Sequence, residues 1–273
     1  RDRLRSLLAK RIRSFDTIDE SQLDEKNLFI SNGSQQALYL AIQTLCDQGD
    51  FVLVEQPTYF VFLEILQGFG VNALAMPMRE DGEIDLAGLE RLLSQFESEG
   101  NLGKIKALYL VSYFSNPSGH CVSEKVKLDI GSLLSRQKEP IAVIEDAAYR
   151  ELYYQDPFES RSSVVLESFN HLPVLYTSTL TKPYASGLKV GYSYCSDTNW
   201  LNSMLSVKGK QDFGTANFAQ AILEHALASG RFDTHLTSLR GLYKSKMLTL
   251  HESLGESLTS LGWEWEEPEG GLY

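Results

Sequence analysis

The stretch that decides the fold is VLYTSTLTKPYASGLKVGYSY, residues 174–194. Its ends are apolar, strand-like runs at 174–176 and 190–194. The loop between them holds Lys182 among small hydroxyl residues, and a second cation, Lys189, follows seven positions later. The flanking residues are largely uncharged and apolar, which argues against a simple surface lysine. The stretch therefore predicts two buried strands and a functional loop at the end of the first.

Similar apolar runs alternate with helical patterns along the rest of the chain. Further strands are predicted at 27–30, 51–54, 73–75, 106–111 and 141–144. Helices are predicted at 34–46, 59–68, 86–99, 124–138, 216–228 and 231–261, the last with a break near Gly255. This alternation predicts a three-layer α/β/α fold, with a mostly parallel seven-stranded sheet covered on both faces. Such sheets bind ligands at the carboxyl ends of their strands.

The length of 273 residues indicates one large domain, or one domain and part of another. Near the N-terminus, an amphipathic helix is predicted from one apolar face, formed by Leu4, Leu7, Leu8, Ile12 and Phe15. We expect residues 1–230 to form the large domain, with 1–26 as N-terminal helix and linker. We expect residues 231–273 to begin a smaller C-terminal α+β domain that is cut off where a strand starts, at 270–273.

The bulk composition excludes several kinds of partner. The net charge is −11, which argues against nucleic acid as a partner of this segment, because phosphate contacts need a basic face. No apolar run approaches the ~20 residues of a membrane span. Three scattered cysteines are expected to be thiols of a reducing compartment, so a cytoplasmic location is predicted. Five scattered histidines lack metal-ligand spacing, and no metal site is predicted.

Two strand-end loops begin helices. After strand 27–30, Gly33 allows close backbone approach, and Ser34 is a good helix N-cap type. The N–H groups at this helix start, including that of Gln35, suit a phosphate, although a plain capped helix is the alternative. After strand 51–54, Tyr59 could stack on a flat ring, or it could be a core tyrosine.

Two further loops carry polar side chains. Asn116, in an Asn-Pro-Ser-Gly turn after strand 106–111, can offer an amide donor to a phenolate-type oxygen; a simple turn residue is the alternative. Asp146 follows strand 141–144, where a buried carboxylate is costly unless it meets a cation or donors. A protonated pyridine nitrogen would satisfy Asp146, and a helix cap or an ion pair is the alternative.

The loop after strand 174–176 favours the functional interpretation of the four strand-end loops described above over their structural alternatives. A lysine among small residues at a strand end can form a Schiff base with an aldehyde cofactor. The neighbouring hydroxyl groups and Lys189 can hold a phosphate of that cofactor.

Six motifs in order resemble the class I/II aminotransferases of pyridoxal-5′-phosphate (PLP) fold type I. The resemblance is closest to the subgroup with 2-aminoadipate and kynurenine aminotransferases and the aminotransferase-like domains of MocR-type regulators. The motifs are Gly-Ser-Gln-Gln (33–36), Glu-x-Pro-Thr-Tyr (55–59), Asn-Pro-Ser-Gly (116–119), Asp-x-x-Tyr (146–149), Thr-x-Thr-Lys (179–182) and Gly-Leu-Lys-x-Gly (187–191).

The resemblance implies a PLP-dependent aminotransferase, expected as a homodimer, that acts on an amino acid and a 2-oxo acid. It implies that Lys182 forms the Schiff base and shuttles the α-proton. The remaining implied roles are pairing of Asp146 with the ring nitrogen, hydrogen bonds from Asn116 and Tyr149 to the ring's 3′-oxygen, stacking of Tyr59, and phosphate binding by Gly33, Ser34, Gln35, Thr179, Thr181 and Lys189.

The sequence departs from the family pattern without losing a catalytic group. Lys189 stands where arginine is usual, which keeps the charge but loses the bidentate fork. Thr179 and Thr181 replace the usual serines. Two alternatives to the aminotransferase remain at this point: a MocR/GntR-type regulator whose aminotransferase-like domain senses PLP, and another fold-type-I enzyme such as a lyase or decarboxylase. The substrate-binding arginine of the family is expected beyond Tyr273.

Overall fold

The computed structural model describes residues 2–265 and 267–273. Arg1, the first residue of the predicted N-terminal segment, lies outside the described residues. Helices in the described part are α1 (Asp2–Asp16), α2 (Gly33–Leu45), α3 (Phe60–Gly68), α4 (Leu86–Ser98), α5 (Glu124–Leu134), α6 (Thr198–Asp212), α7 (Asn217–Ala228) and α8 (Arg231–Ser260). Strands are β1 (Leu28–Asn32), β2 (Phe51–Val54), β3 (Asn72–Ala75), β4 (Ile105–Val111), β5 (Ala142–Asp146), β6 (Val174–Thr179) and β7 (Val190–Cys195).

The seven strands form one sheet in the order β1-β7-β6-β5-β4-β2-β3. Strand β7 is antiparallel to both of its neighbours, and the remaining pairs are parallel. Strands β1 to β6 therefore all point the same way, and their carboxyl ends share one edge. The predicted mostly parallel sheet is confirmed.

Helices cover both faces of the sheet. One face of β2, β4 and β5 packs against α2, α3 and α6, and the other packs against α4 and α5. At the β1–β7–β6 end, α1, α7 and α8 cover the sheet. The predicted apolar face of the N-terminal helix is buried at Leu4, Leu8 and Ile12. The three-layer α/β/α architecture is thus confirmed.

The structure differs from the predicted elements in a few places. Helix α6 was not predicted, because its sequence mixes apolar and polar residues with little periodicity, although Asp197 caps it through a bond from the Trp200 N–H. Helix α8 runs through Gly255 without a break, and α5 ends at Leu134 rather than at 138. At the C-terminal end, Gly270 forms a single bridge with Tyr153 rather than a strand. The predicted domain boundary at residue 230 falls between α7 and α8 and stays a prediction.

None of the described helices combines the length and the apolar character needed to cross a membrane.

Candidate active site

The predicted site residues lie along the edge where β1 to β6 end and β7 begins. Asp146 is the last residue of β5, and Thr179 is the last residue of β6. In the β1–β7 register, Asn32 is paired with Val190, so residue 33 and Lys189 leave the sheet at the same edge. Strand direction alone therefore brings together side chains that are far apart in the sequence.

Asp146 lies at the base of the site and is 4% exposed. Its Oδ1 accepts a hydrogen bond from the N–H of Ala148 at 3.0 Å, and its Oδ2 accepts one from the Tyr109 hydroxyl at 3.0 Å. Burial raises the pKa of Asp146 to about 6, because these donors and the charge of Lys182 offset only part of the lost solvation. Neither predicted alternative, a helix cap or an ion pair made within the protein, accounts for this carboxylate.

Tyr149 lies one turn beyond Asp146 and is buried. Its hydroxyl is hydrogen-bonded to the side chains of Tyr273 and Asn116. Burial, followed by the neighbouring Tyr273, raises the pKa of Tyr149, so the phenol keeps its proton and can donate it. Asn116 is also buried, and its amide lies beside the Tyr149 phenol.

Lys182 faces this group from the loop after β6. Its Nζ lies 5.4 Å from the centre of the Tyr149 ring, and its charge acts on Asp146. Tyr59, at the N-cap of α3, is half-buried and lies near both Asp146 and Tyr273. The structure therefore brings Lys182, Asp146, Tyr149, Asn116 and Tyr59 around one space.

The start of α2 forms the other end of the site. Helix α2 begins at Gly33, which has a φ of +67°, and its N-cap residue Asn32 makes no side-chain cap bond. The prediction that Ser34 caps this helix is wrong: Ser34 lies inside the first turn. A Cβ on Gly191 would lie 2.3 Å from the carbonyl carbon of Gly33, so β7 packs directly against this helix start. The first N–H groups of α2 remain directed to the edge of the sheet, where an anion fits.

The remaining predicted phosphate residues differ in how they are placed. The Oγ1 of Thr181 is buried and has no hydrogen-bond partner among the described residues. The Thr179 hydroxyl instead forms hydrogen bonds with the backbone: it donates to the Val190 carbonyl and accepts from the Thr181 N–H. Gln35 and Lys189 are exposed, and Lys189 adopts a left-handed φ of +52°.

These residues fit a cofactor with an anionic end and a protonated ring nitrogen. The helix start and the unpartnered Thr181 hydroxyl suit a phosphate. The buried Asp146, which lacks a full counter-charge, suits a cationic ring nitrogen.

Sequence reasoning missed two residues of this site. Tyr109 lies in the middle of an apolar strand, where the sequence pattern predicts only a core-packing residue. Tyr273 contacts the Tyr149 ring edge-on, with centroids 5.9 Å apart, and only the fold brings them together.

The family model described as "Aminotransferase class I and II" matches residues 1–273. The chain therefore belongs to the class I and II aminotransferase family, whose cofactor is pyridoxal phosphate.

Three relatives illustrate the range of this similarity. Aromatic-amino-acid aminotransferase 1 of Thermococcus litoralis is 29% identical over 99% of this chain and 62% of its own length. A crystal structure of Pyrococcus horikoshii kynurenine aminotransferase, in complex with PMP, matches with a TM-score of 0.85 and 28% identity, over 98% of this chain and 63% of that one. The uncharacterized HTH-type transcriptional regulator YcxD of Bacillus subtilis is 29% identical over 85% of this chain and 49% of its own. The chain spans less than two thirds of the length of curated relatives that it matches.

Proposed function

We propose that this protein is a PLP-dependent aminotransferase that moves an amino group between an amino acid and a 2-oxo acid. The observation that carries the proposal is the placement of Lys182 opposite a buried carboxylate, Asp146, whose other partners are neutral donors. A carboxylate in that position costs free energy unless a cation arrives with the ligand. A ring nitrogen that is held protonated supplies that cation.

When bound, pyridoxal phosphate supplies a ring that accepts the electrons of the broken Cα–H bond. Asp146 would keep the proton on the ring nitrogen, because its carboxylate is favoured next to that positive charge. Lys182 would hold the cofactor and then take and return the proton at the substrate Cα. Tyr149 and Asn116 would donate hydrogen bonds to the phenolic oxygen, and Tyr59 would cover the ring.

The phosphate end is proposed at the start of α2. Backbone N–H groups of Gly33, Ser34 and Gln35 would hold the phosphate, helped by the positive end of the helix dipole. The unpartnered hydroxyl of Thr181 would add a donor. Thr179 would shape the turn that presents Thr181, and exposed Lys189 would add positive charge.

The test compares lysine variants of the full-length protein. Wild type should carry the visible absorbance band of the bound cofactor, and Lys182→Ala should lose that band but keep its circular dichroism spectrum. Borohydride reduction followed by peptide mapping should find the pyridoxyl group on Lys182. Lys125→Ala is the matched control, because Lys125 is exposed on α5 and pairs with Asp129 of the same helix. A visible band that persists in Lys182→Ala contradicts the proposal.

Product analysis separates the aminotransferase from other fold-type-I enzymes. The proposal predicts a 2-oxo acid from the amino donor and a new amino acid from the acceptor, in equal amounts. Release of CO₂ or of a cleaved side chain would instead identify a decarboxylase or lyase.

The second candidate is a regulator that senses PLP, which the similarity to YcxD supports. Both functions need the cofactor, so cofactor binding does not separate them. Many turnovers with an amino acid and a 2-oxo acid favour the enzyme. Cofactor binding without turnover, together with DNA binding by the full-length protein, would favour the regulator.

We also propose a homodimer in the cytoplasm. Phe213 and Phe218 are 93% and 79% exposed, and Phe60 is 62% exposed, which is unusual for aromatic residues unless a partner covers them. A second copy of the chain is the proposed partner, and light scattering of a Phe213→Ser, Phe218→Ser variant tests it: a monomer is expected. The three cysteines are unpaired, which is typical of a reducing compartment.

A further inference from the structure

Tyr109 is a buried polar residue next to the proposed ring site. It lies within β4, is fully buried, and stacks on Phe62 with ring centres 3.8 Å apart. Its hydroxyl donates to Asp146 Oδ2 at 3.0 Å. The β4–β5 register places Tyr109 opposite Ile144, two residues before Asp146 and on the same face of the sheet. Both ends of this hydrogen bond are therefore fixed by rigid strands.

The two Asp146 oxygens are held in different ways. Oδ1 takes a backbone N–H from Ala148, which any residue at 148 except proline would provide. Oδ2 depends on the Tyr109 side chain. The charge of Lys182 lowers the pKa of Asp146, and the Asp146 charge adds to burial in raising the pKa values of Tyr59 and Tyr149. Tyr109 is thus a replaceable donor that sets the carboxylate's orientation and its affinity for a proton.

Tyr109 is protected from losing its own proton. Burial raises its pKa well above the ordinary value, and the carboxylates of Asp146 and Glu55 raise it further. Glu55 is itself buried at the end of β2, where its Oε2 accepts the Val111 N–H at 2.7 Å. Because burial and the Asp146 carboxylate both disfavour a tyrosinate at this position, Tyr109 stays a donor well above neutral pH.

We propose that Tyr109 is a positioning residue that fixes the Asp146 carboxylate against the cofactor's ring nitrogen and limits its pull on the ring proton. The inference rests on the proposed function. Removing the donor should make Asp146 more basic, because a hydrogen bond to the charged form favours that form. The proton would then move from the ring nitrogen toward Asp146, and the ring would accept electrons less well.

The test uses Tyr109→Phe in the full-length protein, with Tyr113→Phe as the matched control. Tyr113 is also fully buried, but its hydroxyl donates to the Ser160 carbonyl and does not contact Asp146. Each change removes one buried hydroxyl, so the two variants share the general cost of that loss.

Two readouts are measured for both variants. The first is the ¹⁵N NMR signal of bound pyridoxamine phosphate labelled at the ring nitrogen, which reports the position of the ring proton. In Tyr109→Phe this signal should shift toward the unprotonated value, and in Tyr113→Phe it should match wild type. The second is a steady-state comparison, in which Tyr109→Phe should lower kcat roughly tenfold or more, as expected for a lost hydrogen bond to a charged group, with little change in the KM of the amino donor.

A second variant covers the case in which Tyr109→Phe does not fold. Difluorotyrosine at position 109 keeps the ring and the hydroxyl but is a stronger donor, so Asp146 should become less basic and the ¹⁵N signal should lie further toward the protonated value than in wild type. An unchanged ¹⁵N signal there, or equal ¹⁵N signals in the two phenylalanine variants, would overturn the role of Tyr109 alone. A wild type that binds no pyridoxamine phosphate would overturn the proposed function and this inference together.

Discussion

Two carboxylates leave the end of β5 side by side and point to opposite faces of the sheet. Glu145 faces the layer formed by α4 and α5, where its Oε1 lies 2.8 Å from the Nζ of Lys127 and both side chains are fully buried. Asp146 faces the layer formed by α2 and α3 and receives neutral donors. The same local sequence thus places one paired and one largely uncompensated carboxylate within a single dipeptide.

The pKa values of the two groups separate accordingly. Burial alone would raise the pKa of Glu145, but Lys127, the Ser163 N–H and the charge of Arg150 together outweigh burial, and the pKa is lowered. Burial dominates at Asp146 and raises its pKa to about 6. Strand geometry therefore does not decide the role of either carboxylate. Their roles differ because one facing helix layer supplies its carboxylate with a buried cation and, among the described residues, the other does not. Glu145 receives its counter-charge from Lys127 within the protein. We propose that Asp146 receives its counter-charge from the bound ligand.

The largest expected effect comes from removing the cation of the paired carboxylate. Lys127→Met should lower the free energy of unfolding by about 3–5 kcal/mol, because it leaves Glu145 buried without a counter-charge. Urea denaturation at neutral pH measures this loss. Lys125→Met, on the exposed side of the same helix, is the control and should leave the denaturation midpoint unchanged. Equal midpoints for the two variants would mean that the buried pair contributes nothing.

The opposite sign is expected at the other carboxylate. The pKa of Asp146 is raised from 3.8 to about 6, so its contribution to stability is present below pH ~4 and is lost as the pH rises through 6. Asp146→Asn should therefore stabilise the cofactor-free protein by about 2 kcal/mol at pH 8 and by little at pH 4. The same variant should bind the cofactor less tightly, because the ring nitrogen loses its anion.

Glu145→Gln is the natural counterpart of that experiment. It leaves Lys127 buried without its anion, so the variant should be less stable than wild type at pH 8. Thermal unfolding of both cofactor-free variants at the two pH values decides the matter. Two variants that shift stability in the same direction would refute the comparison.

The sequence carries this distinction only in part. The seven apolar runs predicted every strand, and the order of loop motifs predicted Asp146 and Lys182 as site residues. Lys127 lies in a helical pattern among other charged residues, so its burial under β5 depends on how α5 packs. Tyr109 sits within the run Ile105–Val111, where a tyrosine looks like core, and its role depends on the β4–β5 register. The burial of Lys127 and the role of Tyr109 both depend on how separate elements pack against each other. The residue composition of one element does not predict that packing.

The smallest expected effect concerns Lys189, which lies at the phosphate end of the proposed site and, unlike Lys127, is exposed. Lys189 is exposed, and solvent screens an exposed charge, so Lys189→Ala should weaken pyridoxamine phosphate binding by less than about tenfold. Lys189→Arg should bind the phosphate a few-fold more tightly, because guanidinium can form two parallel hydrogen bonds. Fluorescence titration at low and high salt measures both constants, and the difference between the variants should shrink as salt rises. A loss in Lys189→Ala as large as that in Asp146→Asn would show that this exposed lysine closes over the bound phosphate, and that the site gains its counter-charges from both ends.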